Sequence, residues 1–123
     1  VFAVAYGPDG LIAATTRCNG AIGLPGGKVD VGKTAVNAVL REAREEGWIL
    51  STVEGVPCHV ALVDGRPVWW FRTSSQVALV EWKEAPRGIR PVFVRVEELS
   101  HGFENEFLRP ARKLLLSRAI QQS

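Results

Sequence analysis

One stretch of this chain, Thr34 to Gly47, carries a pattern that only an α-helix explains, and it limits what the rest can form. Val36, Val39, Leu40 and Ala43 recur at helical spacing, Thr34 can cap the start with its side-chain oxygen, and Gly47 can end the helix in a left-handed conformation. The segments around it favour strands. Val1 to Tyr6 and Leu11 to Thr16 are apolar, β-prone runs split by Gly7-Pro8-Asp9-Gly10, which predicts a hairpin. Ala21 to Leu24 is a short apolar run leading into Pro25-Gly26-Gly27, where tight backbone geometry is required, and a loop follows to about Lys33. Pro57 to Val63, Pro67 to Thr73 and Gln76 to Glu81 read as strands, the first two joined by a hairpin turn at Asp64-Gly65, and Pro91 to Val96 as another. A closing helix is expected over Leu108 to Gln121, with Pro110 tolerated in its first turn. Strands, a helix, further strands and a terminal helix predict an α/β fold with a mixed sheet and helices packed on it.

The chain has 123 residues, which fits one compact domain over 1–123. With 46% hydrophobic and 23% charged residues it has the composition of a soluble globular protein. The net charge of +2, from 15 basic and 13 acidic residues, is too even to argue for nucleic acid as a partner. No apolar run approaches the ~20 residues that cross a bilayer, and no export signal opens the chain, so no membrane partner is expected. Cys18 and Cys58 belong to no CxxC or Cys/His cluster, which suggests reduced thiols and a cytoplasmic location. A homodimer is compatible with this composition.

The chemistry concentrates on the helix. Glu42, Glu45 and Glu46 stand at i, i+3 and i+4, so three carboxylates share one face, offset from the apolar one. Packing like charges together costs stability unless a cation sits between them, and Mg²⁺ or Mn²⁺ prefers such oxygen ligands. Arg41, one turn before Glu45, is placed to hold that carboxylate. The competing explanation is a solvated helix face laced with salt bridges. The Pro25-Gly26-Gly27 turn upstream weighs against it, because such a turn lets backbone approach phosphate or metal closely and Lys28 adds a cation.

The whole segment resembles the signature of the Nudix family: a glycine, five residues, a glutamate, seven residues, then Arg-Glu, an aliphatic residue, any residue, Glu-Glu, any residue, glycine and an aliphatic residue. Gly27, Arg41, Glu42, Ala43, Glu45, Glu46 and Ile49 fall in register, with Leu24-Pro25-Gly26 ahead of them. Two positions depart: Lys33 stands where the first glutamate is expected, and Trp48 where the glycine is, with Gly47 one place early. The resemblance implies a Nudix-type α/β/α sandwich with a mixed central sheet. It also implies Mg²⁺ or Mn²⁺ held by Glu42, Glu45, Glu46 and the carbonyl of Gly26, and hydrolysis of a diphosphate linkage in a nucleoside di- or triphosphate or related derivative. Glu45 or Glu46 would orient or deprotonate the attacking water. A second reading within the family is a nucleotide sensor with little or no turnover, since Lys33 could neutralise part of the metal site.

Gly27 to Thr34 also matches the GxxxxGK[ST] phosphate loop, with Val60 to Asp64 as its companion strand. Val29, Asp30 and Val31 argue against it, since β-branched residues resist nest geometry and an aspartate repels phosphate. Outside the signature, Arg17, Lys28 and Arg90 are candidate phosphate contacts, each equally explained as surface charge. The resemblance also implies a further carboxylate just before the last strand; Arg87-Gly88-Ile89-Arg90 holds no acid, so Glu81 and Glu84 are the nearest candidates, Glu84 first, with solvated loop or strand-edge charge as the alternative role. Phe103-Glu104-Asn105-Glu106 is similar to a segment of MutT-like members in which an asparagine reads a purine edge, so Asn105 either binds a base or caps the last helix. Trp69 and Trp70 must face opposite sides of a strand, and packing explains both better than base stacking. His59 and His101 sit in no ligand-spaced cluster.

Overall fold

The computed structural model describes residues 1–50, 53–63, 65–73, 76–79 and 81–100. The strands are β1 (Phe2–Val4), β2 (Ile12–Thr16), β3 (Ile22–Gly23), β4 (Trp48–Leu50), β5 (His59–Val63), β6 (Arg66–Arg72), β7 (Gln76–Ala78) and β8 (Arg90–Val94), and the helix α1 spans Ala35–Glu45. Their pairing is mixed. β1 runs parallel to β6, with Phe2 opposite Trp70, and β5 is antiparallel to β6, with Val63 opposite Arg66. β2 lies antiparallel to both β3 and β8, and β4 to β7. The expected hairpin between the first two runs appears as an antiparallel bridge between Tyr6 and Ile12 and a hydrogen bond from Ala13 N to Ala5 O of 2.9 Å. The β5–β6 hairpin is also as expected, with Gly65 at φ 76°. The expected closing helix over 108–121, Asn105 and His101 lie outside the described residues.

Apolar residues cluster on both faces of the strands, which is why the runs read as continuous rather than alternating. Val4, Ile12, Ala14 and Trp70 join one cluster with Leu24, Val94, Val96 and Leu99. Their neighbours Ala3, Ala5, Ala13 and Phe71 turn to the other, where they meet Ala38, Val39 and Ala43 of α1. Alanines on both sides of that contact let the helix lie close to the strands. Trp69 and Trp70 divide as expected: Trp70 is fully buried and stacks on Phe2, while Trp69 is half-buried on the α1 side.

Both ends of α1 follow from its sequence. Asn37 N donates to Thr34 Oγ1 at 3.1 Å. Glu46 is the last cap, and Gly47 follows at φ 106°, packed where a Cβ would meet Pro91. Because the left-handed residue is Gly47, Trp48 is free to turn inward. It is 1% exposed, its indole N–H donates to Ala14 O at 2.8 Å, and its ring meets Phe93 edge-on. Trp48 thus links the segment after the helix to β2. Trp48→Ala is expected to cost about 3–5 kcal/mol through the cavity and the orphaned carbonyl; urea unfolding monitored by circular dichroism measures it, and a loss below about 1 kcal/mol would contradict this packing role.

Candidate active site

The glycine turn is held as an extra strand on the free side of β1. Ala3 N donates to Pro25 O at 2.8 Å and Gly27 N to Val1 O at 3.0 Å, with Phe2 and Gly26 forming an antiparallel bridge. The close approach explains both glycines. A Cβ on Gly26 would collide with Val1 O, and one on Gly27 would stand 2.6 Å from Glu42 Oε2. The turn is therefore pressed between β1 and the carboxylate end of α1.

Glu46 is the pivot of this contact. Gly26 N donates to its Oε1 at 2.8 Å, and Arg17 Nη2 stands 3.8 Å from its Oε2. The residue is 3% exposed. Burial pushes its pKa up to about 7, aided by the charges of Glu42 and Glu84 and opposed by the Gly26 N–H and Arg17. Arg17 Nε is itself buried and makes no hydrogen bond among the described residues. Glu42 backs onto Gly27 and accepts from Arg41 Nη2 at 3.0 Å, while Glu45 pairs with Lys83 at 3.3 Å. Each glutamate of the helix face thus has its own cation. Among the described residues no group of three His, Cys, Asp or Glu side chains is gathered into a ready ligand set.

Arg41 does not hold Glu45, as its position one turn earlier suggested. Its Nη1 donates to Asp30 Oδ2 at 2.7 Å, and its Nη2 to Glu42 Oε1 and, at 3.4 Å, to Lys28 O. Helical side chains lean toward the N-terminus, and the loop folded back on that side supplies acceptors there, whereas Glu45 lies a turn the other way. Hydrogen bonds to Glu42 and then Asp30 raise the guanidinium pKa above its ordinary value. Asp30 is a partner that helical spacing alone does not predict; its signal in the sequence is an acid so near the anomalous Lys33. Lys83 offered none, because its pairing depends on a long-range contact.

Glu84 reaches the site through the backbone, its N–H donating to Glu45 O at 2.9 Å, and its carboxylate pairs with Arg87 at 3.2 Å. Arg17 and Lys28 line a cleft of about 680 Å³ beside the glycine turn, together with Arg66 and Trp69. Lys33 is exposed and makes no ion pair among the described residues. Arg90 is exposed at the start of β8, opposite Thr16. The phosphate-loop geometry is not formed: the Gly27 N–H is spent on Val1 and the Lys33 N–H on Asp30 O, so they do not converge on a common anion. Cys18 and Cys58 remain thiols, and no helix among the described residues is long and apolar enough to cross a membrane.

A glutamate whose folded pKa is raised binds more protons folded than unfolded, so its contribution to stability is complete below pH 4.5 and is lost as pH rises through about 7. Glu46→Gln keeps an acceptor for Gly26 N and removes the buried charge. In chelator-treated protein it is expected to be more stable than the parent at pH 8, by on the order of 3 kcal/mol at most. The gap should close toward pH 4.5 in thermal unfolding, and an equal gap at both pH values would contradict the buried-charge explanation.

Comparison with known proteins agrees with the resemblance in the signature. The family model for the NUDIX domain matches residues 1–115. A structure from work on MutT of Aliivibrio salmonicida and Vibrio cholerae superposes with a TM-score of 0.72 at 20% identity, covering 95% of this chain and 94% of the other. The MutT NUDIX hydrolase of Burkholderia pseudomallei gives 0.63 at 22% identity over 90% and 93% of the two chains. A structure described as an ADP compounds hydrolase gives 0.62 at 13%, over 98% and 69%. No curated protein matches the chain. The likenesses establish the Nudix fold with its mixed sheet, and the domain match establishes the family: this chain belongs to the Nudix family and is a Nudix hydrolase.

Proposed function

We propose that the chain uses Mg²⁺ or Mn²⁺ to hydrolyse a diphosphate linkage in a nucleoside di- or triphosphate or a related nucleoside-diphosphate derivative. The observation that carries this reading is Glu46, buried against the Gly26 N–H with its nearest cation 3.8 Å away. A buried carboxylate so thinly compensated is costly unless a stronger positive charge is available. The donor set suits a hard divalent ion, because Glu42, Glu45, Glu46 and the Gly26 carbonyl offer only oxygen. An ion held there would share Glu46 with Arg17 and Glu45 with Lys83 or take their place. When bound, it supplies positive charge that polarises a phosphoryl oxygen and acidifies a water.

The chain's own groups do the remainder. Arg41 holds Glu42 in place, and the charge of Glu84 is felt at Glu46. Glu46 has one oxygen committed to Gly26, which leaves Glu45 the better placed to take a proton from the water. The water oxygen bonds to one phosphorus as the bond to the bridging oxygen breaks, and that oxygen leaves with the other phosphate. Arg17 and Lys28, which line the cleft, would receive substrate phosphates, and Asn105 would read a base edge on the strength of the resemblance to MutT-like members alone. The names of the structural relatives, MutT and an ADP compounds hydrolase, favour nucleotides as the substrate class. A soluble cytoplasmic enzyme acting alone or as a homodimer fits this reading.

A second reading, a nucleotide sensor, draws on the cation already paired with each helix glutamate. Phosphate and pyrophosphate release from a nucleotide panel, with and without Mg²⁺ or Mn²⁺, separates the two. Metal-dependent turnover that falls by about 10²-fold or more in Glu45→Gln is expected. Nucleotides that raise the melting temperature without being cut would favour the sensor instead.

A further inference from the structure

The anomaly at position 33 has a structural answer three residues away. Lys33 N donates to Asp30 O at 3.0 Å, and Gly32 takes φ 80°, so Asp30 and Lys33 are the two ends of one tight turn with the fully exposed Val31 at its tip. The Cα atoms at the ends of such a turn lie within about 7 Å of each other. A carboxylate at either end has access to the same neighbourhood. Lys33 makes no ion pair among the described residues, while Asp30 makes a 2.7 Å bond to Arg41. The Arg41 fork is thereby divided: Nη1 goes to Asp30, and only Nη2 serves Glu42, through Oε1. Glu42 Oε2 is left on the side of Gly27.

We propose that Asp30 is a positioning residue that supplies, from the other end of the turn, the carboxylate the signature carries at position 33, and so limits Arg41 to one oxygen of Glu42. This rests on the reading of Glu42 as a metal ligand. Without Asp30 the guanidinium is free to close on both Glu42 oxygens, the arrangement arginine and carboxylate favour, and the oxygen facing Gly27 is taken from the ion. The lysine at position 33 is tolerated because Asp30 does this work.

The test compares the parent, Asp30→Ala and the double variant Asp30→Ala/Lys33→Glu by two readouts. The first, in metal-free protein, is the exchange rate of the Arg41 guanidinium protons by NMR, which should change in Asp30→Ala and return in the double variant. The second is Mn²⁺ affinity by calorimetry, which should fall about tenfold or more in Asp30→Ala and recover in the double variant. Parent-like proton exchange in Asp30→Ala, parent-like Mn²⁺ affinity in it, or failure of Lys33→Glu to restore either property would overturn the proposal. If the parent itself binds no Mn²⁺, the metal reading fails, and the proton exchange alone decides whether Asp30 sets Arg41.

Discussion

The hydrogen bond from Gly26 N to Glu46 joins the two halves of the site, and each of its ends depends on something different. Gly26 is where it is because β1 holds the turn by main-chain bonds to Pro25 and Gly27. Glu46 is where it is because α1 ends there, with Gly47 turning the chain away in a conformation glycine adopts freely. Neither element makes a site alone. The contact places the Glu46 carboxylate out of reach of bulk water, and that burial disfavours its charged form.

The same contact explains why the surroundings are built from small residues. The turn can press on β1 and on Glu42 only where Cβ atoms are missing, and the cluster between α1 and the strands is rich in alanine, with Ala3, Ala5 and Ala13 from the strand side and Ala38 and Ala43 from the helix. Bulk is supplied elsewhere, by Trp48 beneath the helix end and Trp70 on the opposite face. Trp48 stands where the family signature has glycine, and the one-place shift of the left-handed residue to Gly47 is what allows it.

Much of this was legible in the sequence, and the parts that were not share a physical cause. Helix α1, its Thr34 cap, its Gly47 exit and the β5–β6 hairpin follow from local rules, because each is decided by residues within a few positions of one another. Strand β4 was missed: Trp48–Leu50 follows the helix directly, is too short to show a period, and is defined by pairing with β7. The partners of Arg41 were misjudged for a related reason. Helical spacing gave its neighbours on α1 correctly, but the preferred acceptor came from a loop folding back over the helix. The gathering of Arg17, Lys28 and Gly26 at one cleft is likewise a product of tertiary structure.

The parallel pairing of β1 with β6 sets Phe2 opposite Trp70, a contact between residues far apart in the chain. It bears on the order in which the site assembles. The glycine turn leans on β1, and β1 lies between that turn and β6, so the turn is not fully braced until a strand from the middle of the chain has arrived. Closing so long a loop is slow compared with winding a helix. A nascent chain that has emerged only as far as Ile49 would therefore carry the whole signature segment and still lack the β6 partner that braces β1 behind the glycine turn.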